Sequence, residues 1–316
     1  MKWRHIIPAA LVSLLAALPA SGQPLTRFVT GSSPGAGVDT LTRILAEAMA
    51  PLLNRNIIVE NKPGAAYNIA ADHVAKSAAD GNTVLVTFNA HPLAGLLTPV
   101  SYDPVNDFRA IGFIGTTPYL IVANPGLPGK DLKEVIALAN DQKRALNFGS
   151  IGNGTPQHLM LERLKAQTAS DILMVHYKSG SAVLTDTIAG HVDFSLLTIS
   201  TAGDQVKSGR LKALAVTSAE RLPDFPDAPA IAELGYEGFI TDGWYAMLLP
   251  AQTPDSVVKQ YNEALNKALA QPDVQQRIAA VGAAATPGTP GEVDQRIRDD
   301  AAMWRRVVED NDIRPE

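Results

Sequence analysis

Two glycine-rich turns contain the residue types in this sequence that best suit anion binding. The first reads Gly31-Ser32-Ser33-Pro34-Gly35-Ala36-Gly37-Val38-Asp39, and the second reads Gly149-Ser150-Ile151-Gly152-Asn153-Gly154-Thr155-Pro156-Gln157-His158. Each follows a β-branched or aromatic run and precedes a helical pattern. Such a turn exposes backbone N–H groups at the positive end of a helix dipole, where an anion is stabilised. The pattern therefore predicts anion binding by backbone donors.

Neither turn matches a nucleotide-binding motif. No third glycine follows Gly35 and Gly37 at the dinucleotide-binding spacing. Gly149 and Gly154 have the outer spacing of a phosphate loop, but Thr155 stands where the lysine of that loop is required. For either turn taken singly, an ordinary tight connection between a strand and a helix remains an alternative. Two such turns, one in each of the two lobes proposed below, favour a ligand held between them.

Residues suited to catalysis are sparse. The chain has no cysteine, no Gly-x-Ser-x-Gly or His-Glu-x-x-His motif, and no metal-ligand spacing among its six histidines. His158 is a candidate general base for an exported α/β enzyme acting on a small carboxylate, or a packed histidine near a helix start. Asp39 is interpreted first as a carboxylate favoured by the helix dipole and second as a ligand contact. Ligand contact and rim packing remain open for four aromatic residues, Tyr67, Phe88, Tyr177 and Trp244.

Composition and charge narrow the class of protein. The 316 residues are 46% hydrophobic, which is typical of a globular protein of about two domains. Lys and Arg number 27 against 32 Asp and Glu, for a net charge of −5, so the chain lacks the basic field that nucleic-acid binding requires.

Residues 1–22 have the three parts of a cleavable secretory signal peptide. Lys2 and Arg4 precede an apolar run from Ile6 to Leu18, and small residues follow at Ala20-Ser21-Gly22. A membrane anchor is the alternative, but an uninterrupted span needs about 20 apolar residues. The segment predicts export to the periplasm as a soluble protein.

The elements that would position the turns alternate between short strands and amphipathic helices, a pattern that predicts parallel sheets covered by helices. Near the C-terminus, Thr253-Pro254 and Thr289-Pro290 predict capped helix starts, with Glu292 completing a capping box. Three helices are expected there, at about 254–270, 272–281 and 290–310.

Two polar, proline-containing segments are the candidate crossings between two lobes. They lie near residues 102–107 and 221–229. The prediction is an α/β protein with a discontinuous first lobe, residues 23–104 plus 226–316, and a second lobe at 105–225.

A succession of motifs runs in order across nearly the whole mature chain. The motifs are Pro34-Gly35-x-Gly37-x-Asp39, Val59-Glu60-Asn61-Lys62-Pro63-Gly64-Ala65, Asn68-Ile69, Asp80-Gly81, Tyr102-Asp103-Pro104-x-x-Asp107-Phe108, Asn147-Phe148-Gly149-Ser150-x-Gly152-Asn153-Gly154-Thr155-x-x-His158, Tyr177-Lys178, Leu211–Thr217 and Trp244. This succession resembles the Bug family, the extracytoplasmic solute receptors of tripartite tricarboxylate transporters.

The resemblance implies a two-lobed, non-catalytic Venus-flytrap receptor, monomeric and without a cofactor. Such a receptor closes on an organic carboxylate and delivers it to membrane components of the transporter. Backbone amides, hydroxyls and ordered water would hold the carboxylate. The candidate ligand-binding residues are Ser32, Ser33, Gly37, Asp39, Ala66, Tyr67, Asn68, Asn89, Gly149, Ser150, Asn153, Gly154, Thr155, His158, Lys178, Ser179, Thr198 and Trp244.

The sequence departs from the family pattern at one three-residue stretch and three single positions. Gly31-Ser32-Ser33 stands where an aromatic-containing stretch is usual, and Tyr67 and Ser179 replace common glycines. Thr198 sits where an acidic or amide residue is frequent. These departures predict a reshaped pocket, with an aromatic or longer carboxylate as an alternative to a short di- or tricarboxylate.

Overall fold

The computed structural model describes residues 25–141, 145–152, 155–177, 179–236, 239, 242–310 and 313, without the side chain of Ala66. The predicted signal peptide lies outside these residues. Within them, no helix has both the length and the apolar character needed to cross a membrane.

The first lobe is a mixed sheet with helices on both faces. Its strands are β1 (Leu25–Thr30), β2 (Asn56–Asn61), β3 (Thr83–Phe88), β4 (Phe108–Thr117), β10 (Gly243–Pro250) and β11 (Ala284–Ala285), in the order β11-β4-β10-β3-β1-β2. Its helices are α1 (Gly37–Leu53), α2 (Asn68–Ala75), α7 (Asp255–Leu269), α8 (Pro272–Ala280) and α9 (Pro290–Asp310). Short 3₁₀ helices occur at Ala65–Tyr67 and His91–Leu93.

The second lobe is built from the intervening chain. Its strands are β5 (Tyr119–Ala123), β6 (Leu146–Ser150), β7 (Ile172–His176), β8 (Phe194–Thr198) and β9 (Lys212–Val216), in the order β7-β6-β8-β5-β9. Its helices are α3 (Leu132–Asn140), α4 (Pro156–Thr168), α5 (Gly180–Ala189) and α6 (Ile199–Lys207), with a 3₁₀ helix at Ile231–Leu234.

The sheets are mixed, so the prediction of parallel sheets is wrong in part. β1 runs parallel to β2 and β3, and β6 runs parallel to β7 and β8. However, β10 is antiparallel to both β3 and β4, and β5 is antiparallel to both β8 and β9. These two strands each follow a passage from one sheet to the other, and they enter the new sheet without the helical crossover that parallel pairing needs.

The passages between the sheets lie elsewhere than the sequence predicted. Residues 108–117 form β4 of the first sheet, so the first passage is at Pro118 rather than near residue 104. The second follows the 3₁₀ helix at Ile231–Leu234, which packs on the second lobe, rather than lying near residue 225. The polar segment after Tyr102 is a closed turn within the first lobe, where the Asp103 carboxylate accepts from the N–H groups of Val105 and Asn106.

The three predicted C-terminal helices are confirmed. The capping box is present, since the Thr289 N–H donates to Glu292 Oε2 at 2.6 Å and the Glu292 N–H lies 3.4 Å from Thr289 Oγ1. The predicted cap at Thr253 is wrong. Helix α7 begins after Pro254, and the buried Thr253 hydroxyl has no partner among the described residues.

Candidate functional site

A cavity of about 680 Å³ lies between the two lobes. Its walls are strand ends and helix starts, as expected for ligand sites of open α/β sheets. The lining residues from the first lobe are Gly31, Ser32, Ser33, Ala36, Pro63, Gly64, Ala65, Tyr67, Asn68, Phe88, Ala90, Leu93, Ala94, Gly95, Leu97 and Thr98; those from the second are Ile151, Gly152, Thr155, Ser179 and Gly180. Helices α1, α2, α4 and α5 therefore all begin at this cavity, and none of the described lining residues carries a charged side chain.

The first turn is held in shape by the buried carboxylate of Asp39. Asp39 Oδ2 accepts from the Gly35 N–H at 2.8 Å and from Arg43 Nε at 2.9 Å, while Oδ1 accepts from Asn61 Nδ2 at 2.8 Å. Burial raises the pKa of this carboxyl, but the hydrogen bonds from Arg43, Gly35 and Asn61 outweigh burial and lower the pKa overall. Asp39 does not line the cavity, so its position fits a role in shaping the turn.

Part of the turn's donor capacity is used internally. The Ser32 N–H lies 3.3 Å from Thr30 Oγ1, and the Gly35 N–H is bonded to Asp39. Ser33 lines the cavity, and no hydrogen bond among the described residues uses its N–H. Gly37 begins α1 and is not among the lining residues. Ser33 is thus the donor of this turn best placed to meet a ligand.

Tyr67 fills the space above Gly31. Its backbone has φ +75°, and its ring packs edge-on against Phe88 with centroids 4.5 Å apart. A Cβ atom on Gly31 would lie 2.7 Å from Tyr67 Cα, closer than real Cβ contacts. Burial raises the pKa of the Tyr67 hydroxyl, while a hydrogen bond with Ser32 partly opposes that effect. The two departures at Gly31 and Tyr67 are therefore coupled, because the backbone and the ring of Tyr67 together leave no room for a side chain at position 31.

The second turn presents the start of α4. Thr155 is its N-cap, with Oγ1 at 3.4 Å from the His158 N–H and donating to the Gly152 carbonyl at 2.7 Å. Gly152 has φ +125°, a conformation that favours glycine. Ser150 is buried, its hydroxyl 3.4 Å from the Gly152 N–H. The predicted contacts of Asn153 and Gly154 lie outside the described residues.

Two further helix starts were singled out from the sequence. Ser179 caps α5, with Oγ 3.3 Å from the Ala182 N–H, and it lines the cavity. Thr198 is at the N-cap position of α6 without a side-chain capping hydrogen bond. Its hydroxyl bonds with those of Ser200 and Thr201 at 2.8 and 2.9 Å, and it is not among the lining residues. Lys178 lies outside the described residues, as does the side chain of Ala66. Asn68 lines the cavity, and its Oδ1 accepts from Tyr102 at 2.8 Å.

Four candidate residues lie behind the cavity wall rather than in it. Trp244 is 0% exposed, and its indole N–H donates to Asp300 Oδ2 at 2.8 Å. Asn89 accepts from the Tyr119 hydroxyl at 3.0 Å, linking the lobes. His158 is buried in α4. Gly149 lies in β6, where a Cβ would come 2.8 Å from Val183 of α5, so close helix packing accounts for this glycine. None of the four meets the cavity, so ligand contact by them has no support in this arrangement.

Sequence reasoning missed one wall of the cavity, formed by Ala90, Leu93, Ala94 and Leu97 after strand β3. These residues belong to no chemical motif. The available signal was positional, because β3 is parallel to β1 and the segments after both strands meet at the same sheet edge. The described residues contain no cluster of three or more potential metal ligands.

Two α/β lobes that share a cavity at their strand ends define a two-lobed periplasmic binding protein, the Venus-flytrap architecture. The structure superposes with a TM-score of 0.80 on MatC of Rhodopseudomonas palustris, solved with bound malate, at 29% identity over 90% of this chain and 98% of that one. A second protein of that organism, solved with adipate, gives a TM-score of 0.82 at 27% identity, over 92% and 98% of the two chains.

Sequence comparison gives the family. The chain matches the model of the tripartite tricarboxylate transporter family receptors, TctC, over residues 41–313. It is also 31% identical over 278 residues to BugT of Bordetella pertussis, covering 87% of this chain and 85% of BugT. The chain belongs to the TctC family of periplasmic solute-binding receptors, and the predicted resemblance to Bug proteins is confirmed.

Proposed function

We propose that this protein is a non-catalytic periplasmic receptor that captures an organic carboxylate between its lobes and delivers it to the membrane components of a tripartite tricarboxylate transporter. The observation that carries the proposal is the convergence of four helix starts on one cavity. Unpaired N–H groups and helix dipoles favour an anion there. The malate and adipate held by the two related receptors support a carboxylate.

The proposed contacts come from donors at the cavity surface. They are the N–H groups of Ser33, Thr155 and Ser179, the hydroxyl groups of Ser32, Ser33 and Ser179, and the side-chain amide of Asn68, with Asn153, Gly154 and Lys178 expected beside them from the sequence. Some of these donors lie in the first lobe and the others in the second. Closure of the two lobes would therefore bring all of them to one ligand. Binding would shift the population toward the closed state through the contacts made only there.

A thermal-shift panel of mono-, di- and tricarboxylates, nucleotides and neutral analogues tests the proposal on the exported protein. At 100 times its dissociation constant, a bound acid stabilises the fold by about 2.7 kcal/mol. A response to nucleotides with none to any acid would contradict the proposal.

Mass spectrometry of the recovered ligand tests the non-catalytic part. An acid recovered chemically unchanged is the expected result, whereas turnover that His158→Ala abolishes would establish an enzyme. Intact mass of the exported protein tests removal of residues 1–22, and sedimentation tests the proposed monomer.

A further inference from the structure

The cavity has one polar side and one apolar side. The helix starts bring hydroxyl and N–H groups to the first side. The other side, which we call the apolar wall, consists of Phe88, Ala90, Leu93, Ala94 and Leu97, and Gly95 and the exposed Thr98 of the same segment also line the cavity. Among the residues of the apolar wall no side chain offers a hydrogen-bond donor to a ligand.

The apolar wall is supported from behind. Leu93 and Leu97 are 4% and 7% exposed and pack in one cluster with Leu159, Trp304 and Val307. Phe88 is fixed by its edge-on contact with Tyr67. Packed side chains of this kind cannot turn away to admit a charged group. The wall is therefore a preformed apolar surface.

The charges nearest the first turn are directed elsewhere. The ion pair between Asp39 and Arg43 lies on the far side of α1, where both residues line a separate groove with Arg277. A carboxylate placed on the side chains of the apolar wall would thus lose its hydration without gaining a cation from the described lining residues, and the exposed Thr98 is the one hydroxyl that the described part of this segment brings to the cavity. Such a loss of hydration is costly. A methylene placed there would gain about fourfold in affinity when buried.

We propose that the site selects a monocarboxylate with an apolar body, aliphatic or aromatic, whose carboxylate meets the helix starts and whose body lies on the apolar wall. This inference rests on the proposed carboxylate receptor. It separates this chain from the two relatives solved with malate and adipate, both of which are dicarboxylates.

Calorimetry on the full mature protein tests the inference with matched ligands. The series pairs monoacids with diacids of four to eight carbons, such as hexanoate with adipate, adds 3-phenylpropanoate, and includes hexanamide as the neutral analogue. We expect hexanoate to bind at least tenfold more tightly than adipate, and hexanamide to bind at least tenfold more weakly than hexanoate.

The variant Ala94→Lys supplies a cation on the apolar wall at a half-buried position. We expect it to shift the ratio of adipate to hexanoate affinity at least tenfold toward adipate. The matched control Ala78→Lys makes the same change at an exposed residue away from the cavity and should leave that ratio unchanged.

The outcomes separate the two proposals. Diacids that bind the wild-type protein as tightly as the matched monoacids, or an Ala94→Lys ratio equal to that of Ala78→Lys, would overturn the inference and leave the receptor proposal standing. If no acid binds, or if hexanamide binds as well as hexanoate, the proposed carboxylate receptor itself is wrong.

Discussion

Gly31 and Tyr67 show how the shape of the cavity depends on a pair of residues in separate turns. Tyr67 Cα occupies the space that a side chain at Gly31 would need. The departures at these two positions were visible in the sequence, but their coupling was not, because only the folded sheet brings the two turns together. The Tyr67 ring thus covers the first turn.

Replacing Tyr67 by glycine should change the ratio of affinities for an aliphatic and an aromatic acid by about tenfold, equivalent to about 1.4 kcal/mol. Tyr67 lines the cavity, and the backbone at this residue has a φ of +75°, which glycine adopts without strain. Calorimetry with hexanoate and 3-phenylpropanoate measures the change, with Tyr67→Phe as the control that keeps the ring. If the affinity for each acid is the same in the wild type and in Tyr67→Gly, the ring plays no part in ligand selection.

Asp39 makes the first turn sensitive to acid. Its lowered pKa means that the folded state favours the carboxylate, so its contribution to stability is complete above the ordinary Asp pKa of about 3.9 and is lost as the pH falls through the lower folded value. Asp39→Asn should cost about 1–3 kcal/mol at pH 7, since it disturbs buried hydrogen bonds. The difference from wild type should shrink below about pH 3.9.

Urea unfolding at several pH values measures the effect of Asp39→Asn. The control Asp224→Asn breaks an exposed ion pair with Lys207 and should cost about 0–1 kcal/mol. A wild-type advantage over Asp39→Asn that is the same at pH 3 and pH 7 would contradict the proposed charge dependence.

At the residue scale, the sequence predicted the turns better than their individual contacts. The glycines and small hydroxyl residues of both turns are typical of tight connections and helix starts, so the sequence predicts both. Burial of Trp244 and His158 depends on which elements cover them, and no local pattern carries that information. The apolar wall uses ordinary alanines and leucines, so only its position after β3 distinguishes it.

At the scale of elements, helix α4 joins the two lobes. Its Leu164 packs in the second lobe's core, whereas Leu159 packs against Leu93 and Trp304 of the first lobe. Both leucines are 0% exposed. Helix α4 therefore stabilises its own lobe through Leu164 and contacts the other lobe through Leu159.

Leu159→Ala should weaken ligand binding, by about tenfold or more, because it removes apolar contact between the lobes. Leu164→Ala is the matched control, with the same atoms deleted from the same helix. Large-to-small changes in a core cost about 2–5 kcal/mol, so both variants should melt lower. Calorimetry well below either melting temperature should detect a loss of affinity only for Leu159→Ala; equal affinities in the two variants would exclude a role in closure.

Helices and strands were predictable in kind because their apolar spacing is regular. The direction of β5 and β10 was not, since it depends on where the chain passes between sheets. The polar turn after Tyr102 resembles a linker in composition, and only its hydrogen bonds to Asp103 show that it closes on itself.

At the scale of the whole molecule, Gly282 lets the lobes approach. It lies between α8 and β11 of the first lobe with φ +75°, and a Cβ there would come 2.6 Å from the Ser200 nitrogen in the second lobe. Close approach of the two backbones at this point therefore requires a residue without a side chain.

Gly282→Ala should hold the lobes apart and weaken ligand binding by about tenfold. Gly209→Ala is the control for backbone strain, since Gly209 has φ +73° and open space around it. Both variants should lose about 1 kcal/mol of stability, because alanine is strained at positive φ. Small-angle scattering of the ligand-saturated protein should give a larger radius of gyration for Gly282→Ala only, and equal radii would contradict this prediction.

The central place of β10 governs the order in which the chain folds. This strand pairs with β3 on one side and β4 on the other, yet it follows β4 by more than a hundred residues of intervening second lobe. A nascent chain that ends before Gly243 has two unpaired strand edges and lacks the buried Trp244, Met247 and Leu248. The second lobe, by contrast, draws its strands from one continuous stretch, from β5 to β9, that is complete before Gly243 is made. The second lobe should acquire its structure first, and the first lobe forms only after nearly the whole chain has left the ribosome.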